Sequence, residues 1–161
     1  MLSVRYSSGI RISYQIRKTD RSILTGISRY SKSAKSFRQD GSGFVEVLEL
    51  PPGEYEIHDW ELFYNFGYFQ WYERPKKEFI IPFEVQAGRV NYLGEIALER
   101  YTFKFRDMRQ RDLGIVYKTY VDLKSAEVLY QPLECRTGCD SDPQRERGDV
   151  LFMPPPPLPH R

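Results

Sequence analysis

The chain has 161 residues, 40% of them hydrophobic and 15% aromatic, with a formal net charge of +2. One domain with a substantial core fits that length. The near-neutral balance argues against bulk electrostatic binding of nucleic acid, and no stretch approaches the roughly 20 apolar residues of a membrane-spanning helix.

Charge is unevenly spread. Residues 1–39 carry nine Lys/Arg against one acid, and residues 43–100 carry eleven acids against five bases. Two readings stand. One is a basic patch for lipid headgroups, lipopolysaccharide or an acidic partner. In the other, basic N-terminal strands lie beside acidic central strands and neutralise them across a sheet.

In chain order, residues 3–9 are polar and read as a frayed lead-in. Ile10, Ile12, Tyr14 and Ile16 alternate with Arg11, Ser13, Gln15 and Arg17, which predicts a half-buried strand. Residues 18–21 turn, and residues 22–30 return as its hairpin partner, with Ile23, Thr25 and Ile27 on one face. Residues 31–42 read as a polar, basic loop. Next, residues 44–50 and 54–63 flank Pro51-Pro52-Gly53. Pro52 presets φ for a turn and Gly53 can take the positive φ that follows, so a hairpin is predicted. The paired acids Glu54 and Glu56 read as a solvated edge.

From Tyr55 to Tyr72, half of the residues are aromatic. A turn at Asn65-Phe66-Gly67 divides them into two strands, which should then carry rings on both faces. Trp60, Tyr64, Tyr68, Trp71 and Tyr72 are the candidate ligand-binding residues, a stacking platform for sugar rings or peptide. The other reading is a core face plus a face covered by the C-terminal segment or by a second copy of the chain. An RNA-stacking role fails on charge, because Asp59, Glu61 and Glu73 repel phosphate. Residues 73–78 read as a charged surface loop.

Phe79, Ile81, Phe83 and Val85 alternate with Glu78, Ile80, Pro82 and Glu84. Past Ala87-Gly88, the set Val90, Tyr92, Gly94, Ile96 and Leu98 shares one face, predicting a second hairpin with Tyr92 and Ile96 in the core. Pro82 lacks a donor and places its strand at an edge, while Gly94 marks a bulge or a close neighbour. Residues 50–57, L-P-P-G-E-Y-E-I, and residues 83–96, which contain V-N-Y-L-G-E-I, resemble small envelope lipoproteins of bacteria with a transthyretin-like (prealbumin-like) β-sandwich. These motifs mark hairpins and packing. The resemblance therefore implies a fold and a compartment, the periplasm or an outer-membrane-anchored lipoprotein, and no reaction. Residues 1–10 contain no apolar signal segment. Either the chain is cytoplasmic or its export signal lies outside this sequence, and the resemblance favours the second.

Tyr101, Phe103 and Phe105 face inward on a further strand. Met108, Leu113, Val116, Tyr117 and Tyr120 then recur at helical spacing, and Asp107 can cap a short helix over residues 109–120. Residues 124–133 read as a helical turn or an edge strand, and residues 134–161 as a Cys- and Pro-rich tail ending in a polyproline stretch. Cys135 and Cys139 are spaced for a small looped disulfide in an oxidising compartment, with free thiols as the alternative. A zinc site would need ligands that His58 and His160 do not supply together, so no metal or other cofactor is expected.

No P-loop, dinucleotide fingerprint, HExxH or GxSxG is present. His58-Asp59 is the only internal histidine beside a carboxylate, and nothing specifies a serine near it. By strand alternation, His58 and Trp60 point away from the core. The expectation is an all-β, two-layer antiparallel β-sandwich, transthyretin-like or Ig-like, of roughly seven to nine strands with one short C-terminal helix. The sandwich occupies residues 1–133. It is expected to be a non-enzymatic structural or binding module with a protein or glycan partner in the envelope, and a carbohydrate- or peptide-binding accessory domain using residues 60–72 is the alternative. A homodimer fits either reading.

Overall fold

The computed structural model describes residues 1–6, 10–28, 33–38, 42–65, 70–99, 102–140 and 143–147. The predicted turn at residues 66–67, Tyr68 and the polyproline stretch lie outside these. The described residues form an all-β, sandwich-like fold of thirteen strands with one α-helix.

The first sheet holds β1 (Leu2–Tyr6), β4 (Lys35–Phe37), β5 (Ser42–Glu46), β10 (Glu95–Glu99) and β11 (Thr102–Arg106), in the order β11-β10-β1-β5-β4. The second holds β2 (Ile10–Lys18), β3 (Leu24–Ser28), β6 (Gly53–Asn65), β7 (Gln70–Pro75) and β13 (Pro143–Arg147), in the order β13-β7-β6-β2-β3. β8 (Ile81–Val85) pairs with the first half of the long β6, and β9 (Val90–Tyr92) pairs with β12 (Val128–Tyr130). The pairing is not wholly antiparallel, because β1 with β10 and β9 with β12 run parallel. Between the sheets lies one core. Leu2, Val4, Phe44, Ile96 and Phe103 come from the first sheet, and Ile12, Tyr14, Ile57, Trp60 and Leu62 from the second.

A further layer covers the back of the first sheet. Phe44 faces the core, so Val45 faces the other way. There Val45, Phe37 and Val116 form a second small cluster beneath α1 (Arg109–Val116) and a 3-10 turn, Val121–Ser125. The helix ends earlier than residue 120. Asp107 does accept the Arg109 backbone N–H at 3.1 Å, but the helix is held mainly by buried Asp112, described below.

The hairpin β2–β3 forms as its alternation predicts, with Ile27 buried. Tyr92 and Ile96 are fully buried as expected, but only Ile96 joins the main core: Tyr92 lies under the helix with its hydroxyl on Asp112, and Leu93, expected on the other face, packs in the core instead. Both predicted glycine hairpins are instead crossovers between sheets. β5 pairs with β1 and β4, not with β6, and β8 pairs with β6, not with β9. Gly53 (φ 146°) and Gly88 (φ 71°) do take positive φ. A tight turn needs that backbone whether the chain returns along its own sheet or arches to the other, and each flanking strand has another partner here. The polar lead-in is also different from expectation. Residues 2–6 are a central strand, because Leu2 and Val4 enter the core and the polar side of Ser3 is satisfied by Asp112. The region read as a loop at residues 31–42 contributes β4, whose Phe37 is buried. β7 runs through to Pro75, so Glu73 is buried rather than in a surface loop. β13 joins the second sheet from within the stretch read as a tail.

A bulge in β6 changes which rings face inward. Gln15 stands opposite Asp59 and Ile16 opposite Ile57, leaving His58 as an extra residue. The extra residue shifts the alternation, so Tyr55 and Ile57 point inward before it and Trp60 and Leu62 after it. Trp60 therefore enters the core, contrary to simple alternation. Glu56 is nearly buried and binds Arg17 at 2.5 Å, so it is not a solvated edge residue. Arg5 likewise meets Glu95 at 3.3 Å and Glu99 at 2.5 Å, as the neutralising reading of the charge distribution requires. Lys104, with Arg5, holds the Glu99 carboxyl down at about 2.

Pro82 does lie at an edge. Along the outer side of β8, the Ile80 N–H is taken by the Thr137 carbonyl at 3.1 Å and the Glu84 N–H by Gln131 Oε1 at 3.2 Å. Just past the strand, Asn91 Oδ1 accepts from the Gln86 N–H at 3.3 Å. With Pro82 offering none, the edge presents no run of free donors to another strand.

Cys135 and Cys139 are joined in a disulfide. Their loop docks on the start of β8, where Gly138 sits with φ 83° and its Cα faces the Glu78 carbonyl, so that a Cβ would come within 2.3 Å of that oxygen. Only glycine fits there. The bonded cysteines are four positions apart, so chain entropy assigns the crosslink about 2 kcal/mol. Cys135→Ser should lower unfolding stability by about that amount in urea denaturation, and a reductant should no longer affect the variant.

Candidate functional site

The two crossovers leave their sheets at the same end of the sandwich. The 47–52 stretch carries the chain from β5 to β6, and the 86–89 stretch from β8 to β9. Between them the sheets part around a cleft of about 850 Å³. Ile16, Leu2 and Leu93 line it, Leu48 and Leu50 line the 47–52 side, and Phe83 and Val85 line the β8 side. Tyr120 and Leu123 reach it from the helical layer.

Few polar groups converge on it. Glu46 is buried and acts as a strut to other elements, accepting from the Ser28 N–H at 3.2 Å and the Ser33 hydroxyl at 2.9 Å. Asn91 fixes the 86–89 crossover through two bonds to the Gln86 backbone, at 3.3 and 3.1 Å. The Tyr55 hydroxyl donates to the Pro51 carbonyl at 2.7 Å and so tethers the other crossover. Arg89 is at the rim, paired with the exposed Glu127 at 3.2 Å. Rigid crossovers around an apolar interior suit the capture of an apolar group.

The wall formed by residues 47–50 is unusual. Leu48 and Leu50 pack against the main core and Val47 against the helix-side cluster, so the alternation begun at Phe44 and Val45 continues to Leu50. The ladder of β5, however, stops at Glu46. No bend interrupts the chain before Pro52. Among the described residues, the backbone N–H groups of Val47 to Leu50 bond to no other part of the chain.

The predicted aromatic set is divided. Trp60 is 2% exposed and packs edge-on to Phe79 and Phe103. Tyr64 and Trp71 are cross-strand neighbours on the inward side, half-buried, with the Tyr64 hydroxyl donating to buried Glu73 at 2.9 Å. Tyr72 lies on the outer face against Phe63, with ring centres 5.0 Å apart. Tyr68 lies outside the described residues. Phe63 and Tyr72 with the nearby Glu61–Arg74 ion pair at 2.5 Å make a smaller outer patch than the five-residue platform.

Two other groupings bring ionisable side chains together. At the bulge, burial first and the Arg17 charge second lower the pKa of His58, favouring the neutral imidazole, while Asp59 Oδ1 accepts the Trp60 N–H at 2.8 Å and so serves the backbone. Under α1, fully buried Asp112 accepts from the hydroxyls of Ser3 at 2.6 Å and Tyr92 at 2.7 Å and from Arg111 Nε at 2.8 Å. Arg111 also meets Glu95 at 2.7 Å and lies over the Phe37 ring. Burial, then the bond to Asp112, pushes the Tyr92 hydroxyl well above its ordinary pKa. Burial works against the Arg111 cation, and Asp112 and Glu95 overcome it. Each of these residues has at least one polar partner, although the Arg111 Nη1 is buried without one, and the set pins the helix to β1 and β9.

Among the described residues no group of three or more His, Cys, Asp or Glu could hold a metal ion, and no helix is long and apolar enough to cross a membrane. The cleft was not foreseen, although Leu48 and Leu50 carry the signal for its wall by extending the alternation of β5. Comparison with family models, with curated proteins and with solved structures finds nothing that matches the chain.

Proposed function

We propose that the chain is a non-enzymatic binding module, a transthyretin-like sandwich of the cell envelope that holds an apolar ligand group in the cleft at its crossover end. The observation that carries this reading is the cleft itself: about 850 Å³, lined by Leu48, Leu50, Phe83 and Val85, with its walls tethered by Tyr55 and Asn91. Ligand sites are commonly preformed apolar concavities of about 300–1,000 Å³ with a few polar groups at fixed positions. The disulfide supports an oxidising compartment, and the resemblance at residues 50–57 and 83–96 supports the envelope.

Titration with the apolar dye anilinonaphthalene sulfonate tests the reading. The native chain should bind it with enhanced, saturable fluorescence, and Val85→Asp and Leu50→Asp should each weaken binding about tenfold or more while both variants still melt cooperatively. Native-like dye binding by both folded variants would exclude the cleft. A second reading, a carbohydrate- or peptide-binding accessory surface, is favoured by the outer Phe63–Tyr72 pair. It predicts that Tyr72→Ala, and not the cleft variants, abolishes binding to a glycan array.

A further inference from the structure

We infer that the ligand of the cleft is an extended peptide carrying a basic residue, added as a strand along the backbone of Val47 to Leu50. This rests on the reading of the cleft as the binding site and names the chemical class of its occupant. Three observations converge. The strip has strand-like alternation, with Leu48 and Leu50 on the cleft side, yet its N–H groups bond to no other described residue. An apolar small molecule would fill the cleft and leave those groups to water. An extended peptide along one edge of the strip would bond to every second one of them and seat every second side chain in the cleft, which is how strand addition obtains both affinity and selectivity. The strip continues β5, so a guest strand would prolong the first sheet. Pro51 and Pro52 offer no donor and end it.

Charge selects the sequence of the guest. Among the described lining residues the charged side chains are Glu46, Glu49 and Arg89. Glu46 is buried in its strut and Arg89 is paired with Glu127. Glu49, on the strip, is exposed. It lies on the side of the strip opposite Leu48 and Leu50, so its carboxylate meets the guest side chains that point away from the cleft and favours lysine or arginine over an acid.

Two other surfaces among the described residues offer less for a partner to read. The outer edge of β8 is closed by Thr137, Gln131 and Pro82. The opening beside α1, lined by Arg109, Arg111 and Lys118, has Arg111 committed to Asp112 and Glu95 and Arg109 to Asp107.

The probe is a capped, fluorescein-labelled octapeptide alternating valine and threonine with one central lysine, followed by anisotropy. A second peptide has the same side chains but is N-methylated at alternate residues, so it cannot complete a ladder. The native chain should bind the first, displacing anilinonaphthalene sulfonate, and should bind the methylated form about tenfold or more weakly. Glu49→Lys should weaken the lysine peptide several-fold and strengthen a glutamate counterpart. Equal binding of methylated and parent peptides would overturn strand pairing. A glutamate peptide favoured by the native chain would overturn the assigned charge. If the dye binds but no peptide displaces it, the peptide ligand falls and the apolar cleft stands. If neither the dye nor any peptide binds, both fall.

Discussion

Trp60→Ala should unfold at markedly lower urea, with a loss of about 3–5 kcal/mol, the range for deleting a large aromatic side chain from a packed interior. The indole is enclosed by both sheets, with Phe103 of β11 at 5.5 Å and Phe79 at 6.5 Å between ring centres. Removing it opens a void in which Phe79 and Phe103, themselves 5.0 Å apart, lose a shared neighbour. Tyr72→Ala, on the outer face, should cost about 1 kcal/mol or less. The contrast is diagnostic. A tryptophan whose work is to stack on a sugar would leave stability nearly unchanged when truncated, whereas one that fills the core cannot be removed without loss. Equilibrium unfolding by circular dichroism of the two variants beside the native chain measures the difference. Near-equal midpoints would mean that the bulge at His58 does not turn Trp60 inward.

The second large effect is expected at Asp112. Asp112→Ala removes the acceptor shared by Ser3, Tyr92 and Arg111 and leaves the guanidinium, whose side chain is 6% exposed, with the Glu95 carboxylate and the Ser3 hydroxyl. Breaking a buried pair by deleting one partner costs about 3–5 kcal/mol, because the remaining charge keeps its desolvation penalty. The double variant Asp112→Ala/Arg111→Met should lose clearly less than the two single losses added, since each single change already removes the Asp112–Arg111 bond that the two share. Thermal or urea unfolding of the four proteins yields the coupling. Strict additivity would show that the two side chains do not act as a unit. Losing the bond to Ser3 should also loosen β1, which carries the helix-side face of the first sheet between β10 and β5.

Much of the secondary structure is legible in the residues, and much of its pairing is not. The alternation of Ile10 to Ile16 specifies β2, and the turn at residues 18–21 places β3 beside it, because that hairpin is local. Phe79, Ile81 and Phe83 are buried as their alternation shows, whereas every residue from Asn91 to Leu98 is buried, so alternation there does not say which side chains enter the main core. Where the chain goes after a glycine turn is decided elsewhere. Gly53 serves an arch and a hairpin equally well, and the choice lies with β1, whose pairing joins residues about forty positions apart with β5 and about ninety with β10. Ser3 reads as a lead-in residue because its burial depends on Asp112, far along the chain. The bulge at His58 is hidden for a similar reason: it exists only relative to Gln15 and Ile16 on the neighbouring strand. The cleft was partly legible, in Leu48 and Leu50. Its opposite wall required knowing that both crossovers leave at one end.

The central claim is that ligand enters at the crossover end rather than on the ring-bearing outer face of β6 and β7. Amide chemical-shift mapping during titration with anilinonaphthalene sulfonate tests it most directly. Saturable shifts at Leu48, Leu50, Val85 and Val90, with Phe63 and Tyr72 unmoved, are the predicted result. Shifts concentrated at Phe63, Tyr72 and Arg74, with the crossover amides still, would contradict it.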